Sequence, residues 1–262
     1  MRIKPYDLSF EGFQKSSKVK IKRYILSEMG GSDTFKILKK EKPSLIYAIG
    51  AGSLKKIRDL NIPIIYSTIF NPELILENRK IQGISMAIPK ERVLVELGKR
   101  ISGAKRVGYI KRGSEDVEAM QKASDKNGFK LVIAEAENSS EYIKSLKSIK
   151  NKIDILLLSS GRALMSPEVL EYLFLTAMEN KIMVVAFSRK YVAIGALISI
   201  EPDFYDVGKK AYKLAENIKR RKQIRKSSLY ASEIRVTINI NVAKILNIKP
   251  DTKFTRGAQI IK

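Results

Sequence analysis

The chain has 262 residues, 44% of them hydrophobic, which is enough for one large domain or two lobes with buried cores. It contains no cysteine and no histidine. That excludes disulfides, thiolate metal sites and Ser-His-Asp catalysis, and it removes the commonest metal ligand and general base. Fifty basic against 27 acidic residues leave a net charge of +23. An excess of this size would suit nucleic acid or an anionic membrane surface. The lysines, however, fall in nearly every expected helix and turn, so the charge reads as solvated faces and no nucleic-acid partner is expected. The densest run, KRRKQIRK at 219–226, directly follows a helix. No stretch approaches the ~20 consecutive apolar residues of a membrane span. The opening MRIKPYDLSF has no apolar h-region, so no signal peptide is read in this chain.

In chain order, KVKIKRYIL (18–26) alternates like a half-buried strand. DTFKILKK (33–40) reads as a helix capped by Ser32 or Asp33. SLIYAIG (44–50) is a continuous apolar strand, SLKKIRDL (53–60) a helix and IPIIYS (62–67) a strand. QGISM (82–86) is short and extended, and PKERVLVELGKRI (89–101) is a helix opened by proline. A strand at 104–110, a helix at 114–128 ended by Gly128, and a further strand and helix lead to the strand IDILLLSS (153–160). SPEVLEYLFLTAMEN (166–180) is a helix with Ser166 as cap and Pro167 at its first position, and IMVVAFS (182–188) is a strand. Two β-α-β-α-β runs therefore follow one another, one before about residue 86 and one after about 104. The pattern predicts an α/β protein of two doubly wound lobes with parallel sheets.

In such lobes ligands sit outside the carboxyl ends of the strands, so the loops after strands hold the candidate residues. YAIGAGSLKKI places Gly50, Ala51, Gly52 and Ser53 between a strand and a helix, where free N–H groups favour an anion such as a carboxylate. It is neither a P-loop nor a full GxGxxG, and a plain turn capped by Ser53 explains it equally well. YSTIFNP offers Ser67, Thr68 and Asn71 as hydrogen-bonding groups, with Tyr66 and Phe70 as stacking rings or core aromatics. Ser85 closes QGISM. In the second run the strand ends carry Lys111, Arg112 and Ser114, then Ser159 and Ser160 with Gly161 and Arg162, then Phe187 and Ser188. Polar groups at equivalent strand ends in both lobes point to a cleft between them. No cofactor and no metal is expected.

Several runs together resemble the ABC-transporter substrate-binding proteins of the tryptophan/tyrosine-binding type. They are PSLIYAIGAGSLKKIRDLNIPIIYSTIFNP, AKRVGYI, MSPEVLEYLFLTAMENKIMVVAFS, FSRKYVAIGALISIEPDFYDVGKKAYKLAENI and INVAKILNIKPDTKFTRGAQIIK. The resemblance runs in order over essentially the whole chain. It implies a type I periplasmic-binding-protein fold with three crossovers and a ligand trapped by hinge closure. Lobe one is expected at 1–86 and 197–226 and lobe two at 87–196 and 227–262. A helix over 203–219 capped by Asp203 would then belong to lobe one. The opening IKPYDLSFEGF resembles the family's loop and helix after its first strand, which adds Tyr6 to the candidates. Only Met1 to Ile3 stand before it, so the first strand of lobe one, with any signal peptide, is expected to lie upstream. Family members that bind amino acids carry an acidic or amide residue ahead of the SPE-like text; here Gly161 and Arg162 stand there. A cation at Arg162 would favour an anionic or carbonyl-bearing group, unless it points outward as a solvated residue.

The function expected is the extracytoplasmic solute-binding component of an ABC importer. It would trap a small amino-acid-like or carboxylate-like ligand and meet a membrane permease, without catalysis. A ligand-sensing module of the same fold is the alternative. An α/β enzyme is disfavoured by the lack of histidine and of any phosphate-loop or metal-carboxylate motif.

Overall fold

A computed structural model describes residues 3–29, 33–76, 81–113, 115–160, 166–220 and 228–262. The chain divides into two compact units and passes between them three times. Unit one comprises 1–87 and 202–234, unit two 88–201 and 235–262. The sequence reading placed the later passages at 196/197 and 226/227. The division falls several residues beyond each, because the strand 198–202 is laddered to unit two's own sheet.

Unit one is built on a parallel four-stranded sheet: β1 (Ile46–Ile49), β2 (Ile64–Ile69), β3 (Gln82–Ser85) and β9 (Ser228–Tyr230), in that order. All six residues of β2 are buried, as a central strand covered on both faces requires. One face carries α1 (Lys4–Ser16) and α10 (Phe204–Lys219), which pack Phe13, Val207, Ala211 and Leu214 onto Ile65 and Ile84. The other carries α2 (Thr34–Glu41), α3 (Ala51–Ile57) and α4 (Glu73–Leu76), which pack Leu38, Leu54, Ile57 and Ile75 onto Ala48 and Tyr66. The caps follow sequence chemistry: the Asp33 carboxylate accepts from the Lys36 N–H, and that of Asp203 from the N–H groups of Tyr205 and Asp206.

α1 and α10 touch backbone to backbone. A Cβ added at Gly12 would lie 2.0 Å from the Tyr205 carbonyl oxygen, and one at Gly208 would lie 2.0 Å from that of Ser9. Only glycine at both positions admits so close a crossing.

One expected strand is absent. Residues 18–25 form no ladder, and 26–28 make a single 3-10 turn. The alternation is real, since Ile21 packs on the α1/α10 side and Tyr24 on the α2/α3 side, but no neighbouring strand is there to pair with it.

Unit two holds a seven-stranded sheet. Its strands are β4 (Arg106–Lys111), β5 (Lys130–Glu135), β6 (Ile155–Leu157), β7 (Met183–Ala186), β8 (Ile198–Pro202), β10 (Ile234–Asn239) and β11 (Gln259–Ile261), in the order β11-β10-β8-β7-β6-β4-β5. On one face α7 (Ser139–Ile149), α8 (Pro167–Glu179) and the short α9 (Arg189–Val192) bury Tyr142, Leu146, Val169, Leu173 and Tyr191. Ser166 caps α8 by accepting from the Val169 N–H, with Pro167 at the first helical position, as expected. The remaining helices of this unit are α5 (Lys90–Arg100), α6 (Glu118–Lys126), α11 (Ile240–Ile245) and α12 (Thr252–Thr255). α5 packs on α6 and α12. The Arg100 side chain is buried; it pairs with Glu96 at 2.7 Å and donates to the Phe254 carbonyl at 3.0 Å. The helix expected over 114–128 is shorter, Glu118–Lys126, because residues 115–117 precede it as loop and the Asp116 carboxylate accepts from the Glu118 N–H at 2.9 Å.

Candidate functional site

Each unit gathers its candidate residues at the carboxyl ends of its strands. In unit one β1 runs into Gly50, which precedes α3 with φ +85° and donates its N–H to the Ser67 carbonyl at 2.9 Å. The Tyr6 hydroxyl closes over it: a Cβ at Gly50 would stand 2.4 Å from that oxygen. Burial raises the Tyr6 pKa, so the phenol stays protonated and able to donate. Ala51 and Gly52 form the first turn of α3. Ser53 does not cap that helix, as one reading of the sequence had it; its hydroxyl donates back to the Ile49 carbonyl at 2.9 Å.

The next strand end is built of hydroxyls. Ser67 is fully buried and closes a triangle with Ser9 at 3.1 Å and Tyr47 at 2.6 Å, while Ser9 and Tyr47 lie 2.6 Å apart. Burial pushes the Tyr47 hydroxyl up to about 12, against the lowering effect of its two serine partners. Thr68 has φ +57°, an outlier for a β-branched residue, and its hydroxyl donates to the Ser67 carbonyl at 2.7 Å. The register of β2 against β3 shifts between Ser67 and Ile69, so this strained residue marks a bulge at the strand's end. Phe70 and Asn71 follow, both half-buried. Ser85 is buried at the end of β3, within hydrogen-bond reach of the Ile69 and Phe70 carbonyls, and accepts from the Ala87 N–H at 3.1 Å. Ser67 and Ser85 thus hold strand ends together, while Tyr6, Thr68, Phe70 and Asn71 form the rim.

In unit two the two expected cations are matched by carboxylates. Lys111 pairs with Glu135 at 2.8 Å and donates to the Gly113 carbonyl at 2.9 Å. The more exposed Arg112 pairs with Glu137 at 3.1 Å. Beside them lies a network that the sequence did not single out. The Tyr109 hydroxyl donates to both Glu115 oxygens at 2.9 and 2.8 Å, and Lys90 reaches the same carboxylate at 2.5 Å, its ammonium 4.8 Å from the Tyr109 ring centre. Burial first, then the Glu115 charge, holds the Tyr109 pKa far above its usual value. Nothing in the strand AKRVGYI announces that partner. Ser160 lies half-buried past the end of β6, and Gly161 and Arg162 fall outside the described residues. Phe187 sits past β7, edge-to-face with Tyr191 at 5.0 Å, and Ser188 precedes α9. The Arg189 N–H is held by Glu201 at 3.0 Å. Burial raises the Glu201 pKa, partly offset by that N–H and by the charges of Arg189 and Arg235.

Hydroxyls, an amide and aromatic rings at strand ends suit recognition of a small polar molecule with an apolar body. Among the described residues no group of three acidic, cysteine or histidine side chains could hold a metal, and no helix is long and apolar enough to cross a membrane.

Two parallel α/β units that exchange the chain three times are the architecture of type I periplasmic binding proteins. A family model described as ABC transporter substrate binding protein matches residues 11–259, and the chain belongs to that family, whose members bind substrates rather than transform them. A curated relative, the tyrosine-binding protein of Clostridioides difficile strain R20291, is 27% identical over 225 residues, 80% of this chain. The chain spans 64% of that relative's length. Among solved structures, the ligand-free, open form of a substrate-binding protein with adhesive properties from Clostridium difficile matches with a TM-score of 0.74 and 21% identity, over 100% of this chain and 96% of that one. The ABC domain in complex with L-Trp from Streptococcus pneumonia matches with a TM-score of 0.63 and 17% identity, over 98% and 95%. At these identities the structural likenesses establish the fold.

Proposed function

We propose that the chain is the solute-binding component of an ABC importer and that its ligand is an aromatic amino acid or a closely related carboxylate. The observation that carries this reading is the family match over residues 11–259. The names of the tyrosine-binding relative and the L-Trp complex favour an aromatic ligand. The rim chemistry agrees: Tyr6, Thr68 and Asn71 supply polar contacts in one unit, Ser160 and Ser188 in the other, and Phe70 and Phe187 supply rings for an aromatic body. Gly50 to Ser53 face a carboxylate less well than the sequence suggested, since α3 has only seven residues and the Gly50 N–H is engaged. Lys111 and Arg112 are already neutralised by glutamates. Arg162 is the remaining candidate cation for the ligand's anionic group. Substrate-binding proteins of ABC importers work outside the cytoplasm and deliver to a permease, and both are part of the proposal.

A thermal-shift panel tests it, using L-tyrosine, L-tryptophan, L-phenylalanine and the corresponding arylpropionic acids, which lack the ammonium. Ligand at 100 times its Kd stabilises the folded state by about 2.7 kcal/mol. For a protein of this size that is a rise of several degrees in melting temperature. The expected result is a rise with at least one aromatic compound, larger for the deaminated acids if Arg162 faces the ligand. No rise with any of them would refute the ligand class.

A further inference from the structure

A groove of about 900 Å³ runs along β1 in unit one. We propose that this groove is a strand slot, and that its occupant is an extended apolar segment of the same polypeptide leading into α1 at Ile3. Four observations place it. First, β1 is an edge strand in the described sheet. The N–H groups of Ile46 and Gly50 turn toward β2, bonding Pro63 and Ser67. By alternation those of Tyr47 and Ile49 turn into the groove, and a buried edge of this kind calls for a partner. Second, the groove cuts through the layers of the unit: Phe13 and Tyr47 line it from the α1/α10 side, Leu38 and Ala48 from the other. It therefore extends the plane of the sheet and is no pit in one face.

Third, the far wall is the segment 18–25, with Ile21 and Tyr24 on opposite layers in strand fashion yet with no ladder. One strand inserted between β1 and this segment would pair with both. A single vacancy thus accounts for the free edge and for the failure of a well-patterned strand to form. Fourth, the chain enters α1 from the correct end. Ile3 has an extended backbone (φ −109°, ψ 109°) and lines the groove. Tyr6, one turn on, lies against Gly50 at the carboxyl end of β1. A strand parallel to β1 would hand the chain to a helix at that edge, as β-α units do. The size also decides for one strand: five residues at normal strand rise, strand spacing and layer spacing fill about 800 Å³.

Amide exchange measured by NMR tests the slot on three proteins: the 262-residue chain, the same chain with seven alternating valines and isoleucines joined ahead of Met1, and one with seven glycines and serines there. Exchange at Tyr47, Ile49 and Ile21 is expected to slow at least tenfold with the apolar extension alone, independently of protein concentration. Equal rates in all three proteins overturn the proposal. So does protection that grows with concentration, which would make a second copy the occupant. Tyr47 and Ile49 already as protected as Ile65 in the unextended chain would likewise show the edge closed by residues 18–25 and overturn it. If the apolar extension prevents folding, the intact mass of the protein made from its own chromosomal locus decides: it must exceed 29.6 kDa, and a mass equal to that of these 262 residues refutes the segment. None of these readouts requires a bound solute, so they stand or fall apart from the proposed transport role.

Discussion

Asp154 shows how much one side chain can organise. It accepts from the N–H groups of Lys105 and Arg106 at 3.0 and 2.8 Å and pairs with the Arg106 guanidinium at 2.5 Å, tying the start of β4 to the loop before β6. The guanidinium first, helped by the two N–H groups, lowers its pKa from 3.8 to about 2. A depressed carboxylate contributes stability that is complete above its unfolded pKa and disappears as pH falls through the folded value. The loss therefore lies between about pH 4 and pH 2, and after allowance for partial exposure is on the order of 1–2 kcal/mol. Acid unfolding of Asp154→Asn compared with the parent measures it: the variant should be less stable at pH 6 and converge with the parent near pH 2. A constant gap over that range would contradict the assignment. Caps of this kind were legible as text, and Asp33, Ser166 and Asp203 stand where short polar residues precede apolar periodicity. The hydroxyl triangle of Ser9, Tyr47 and Ser67 was not, because its members come from three elements 20 to 58 residues apart and each has an innocuous neighbourhood in the sequence.

Among the elements, the α1–α10 contact is the most exacting. Alanine is the better helix former by about 1 kcal/mol, so Gly208→Ala on an open helix would stabilise. Here its Cβ meets a backbone oxygen at 2.0 Å, and the helices must part. The expected result is a net loss of about 2–3 kcal/mol in a denaturant titration. Gly52→Ala in α3, where nothing lies within 4 Å, should be neutral or slightly stabilising. Equal effects at the two sites would contradict the close crossing. Most elements could be read from period and punctuation, since a proline-led helix or a run such as IPIIYS carries its own signal. KVKIKRYIL shows the limit: alternation states which face a residue prefers, but a strand exists only where another strand supplies its ladder.

For the molecule as a whole, two lobes and three chain passages were legible because βαβ units repeat. The exact passages were not: β8 continues to Pro202 as a strand of the seven-stranded sheet, and strand pairing is a long-range fact. The site was legible as strand ends but not as chemistry. Sequence cannot show that Lys111 and Arg112 already have partners, or that Thr68 sits in a strained backbone conformation that exposes the end of β2. The account rests on reversible capture of a small aromatic carboxylate without turnover. Calorimetric titration of the chain with L-tyrosine, L-tryptophan and their deaminated acids, followed by mass spectrometry of the recovered ligand, tests it most directly. The account predicts saturable binding of one molecule per chain by at least one of them and a ligand recovered unchanged. Absence of binding across that set, or a ligand returned chemically altered, would contradict it.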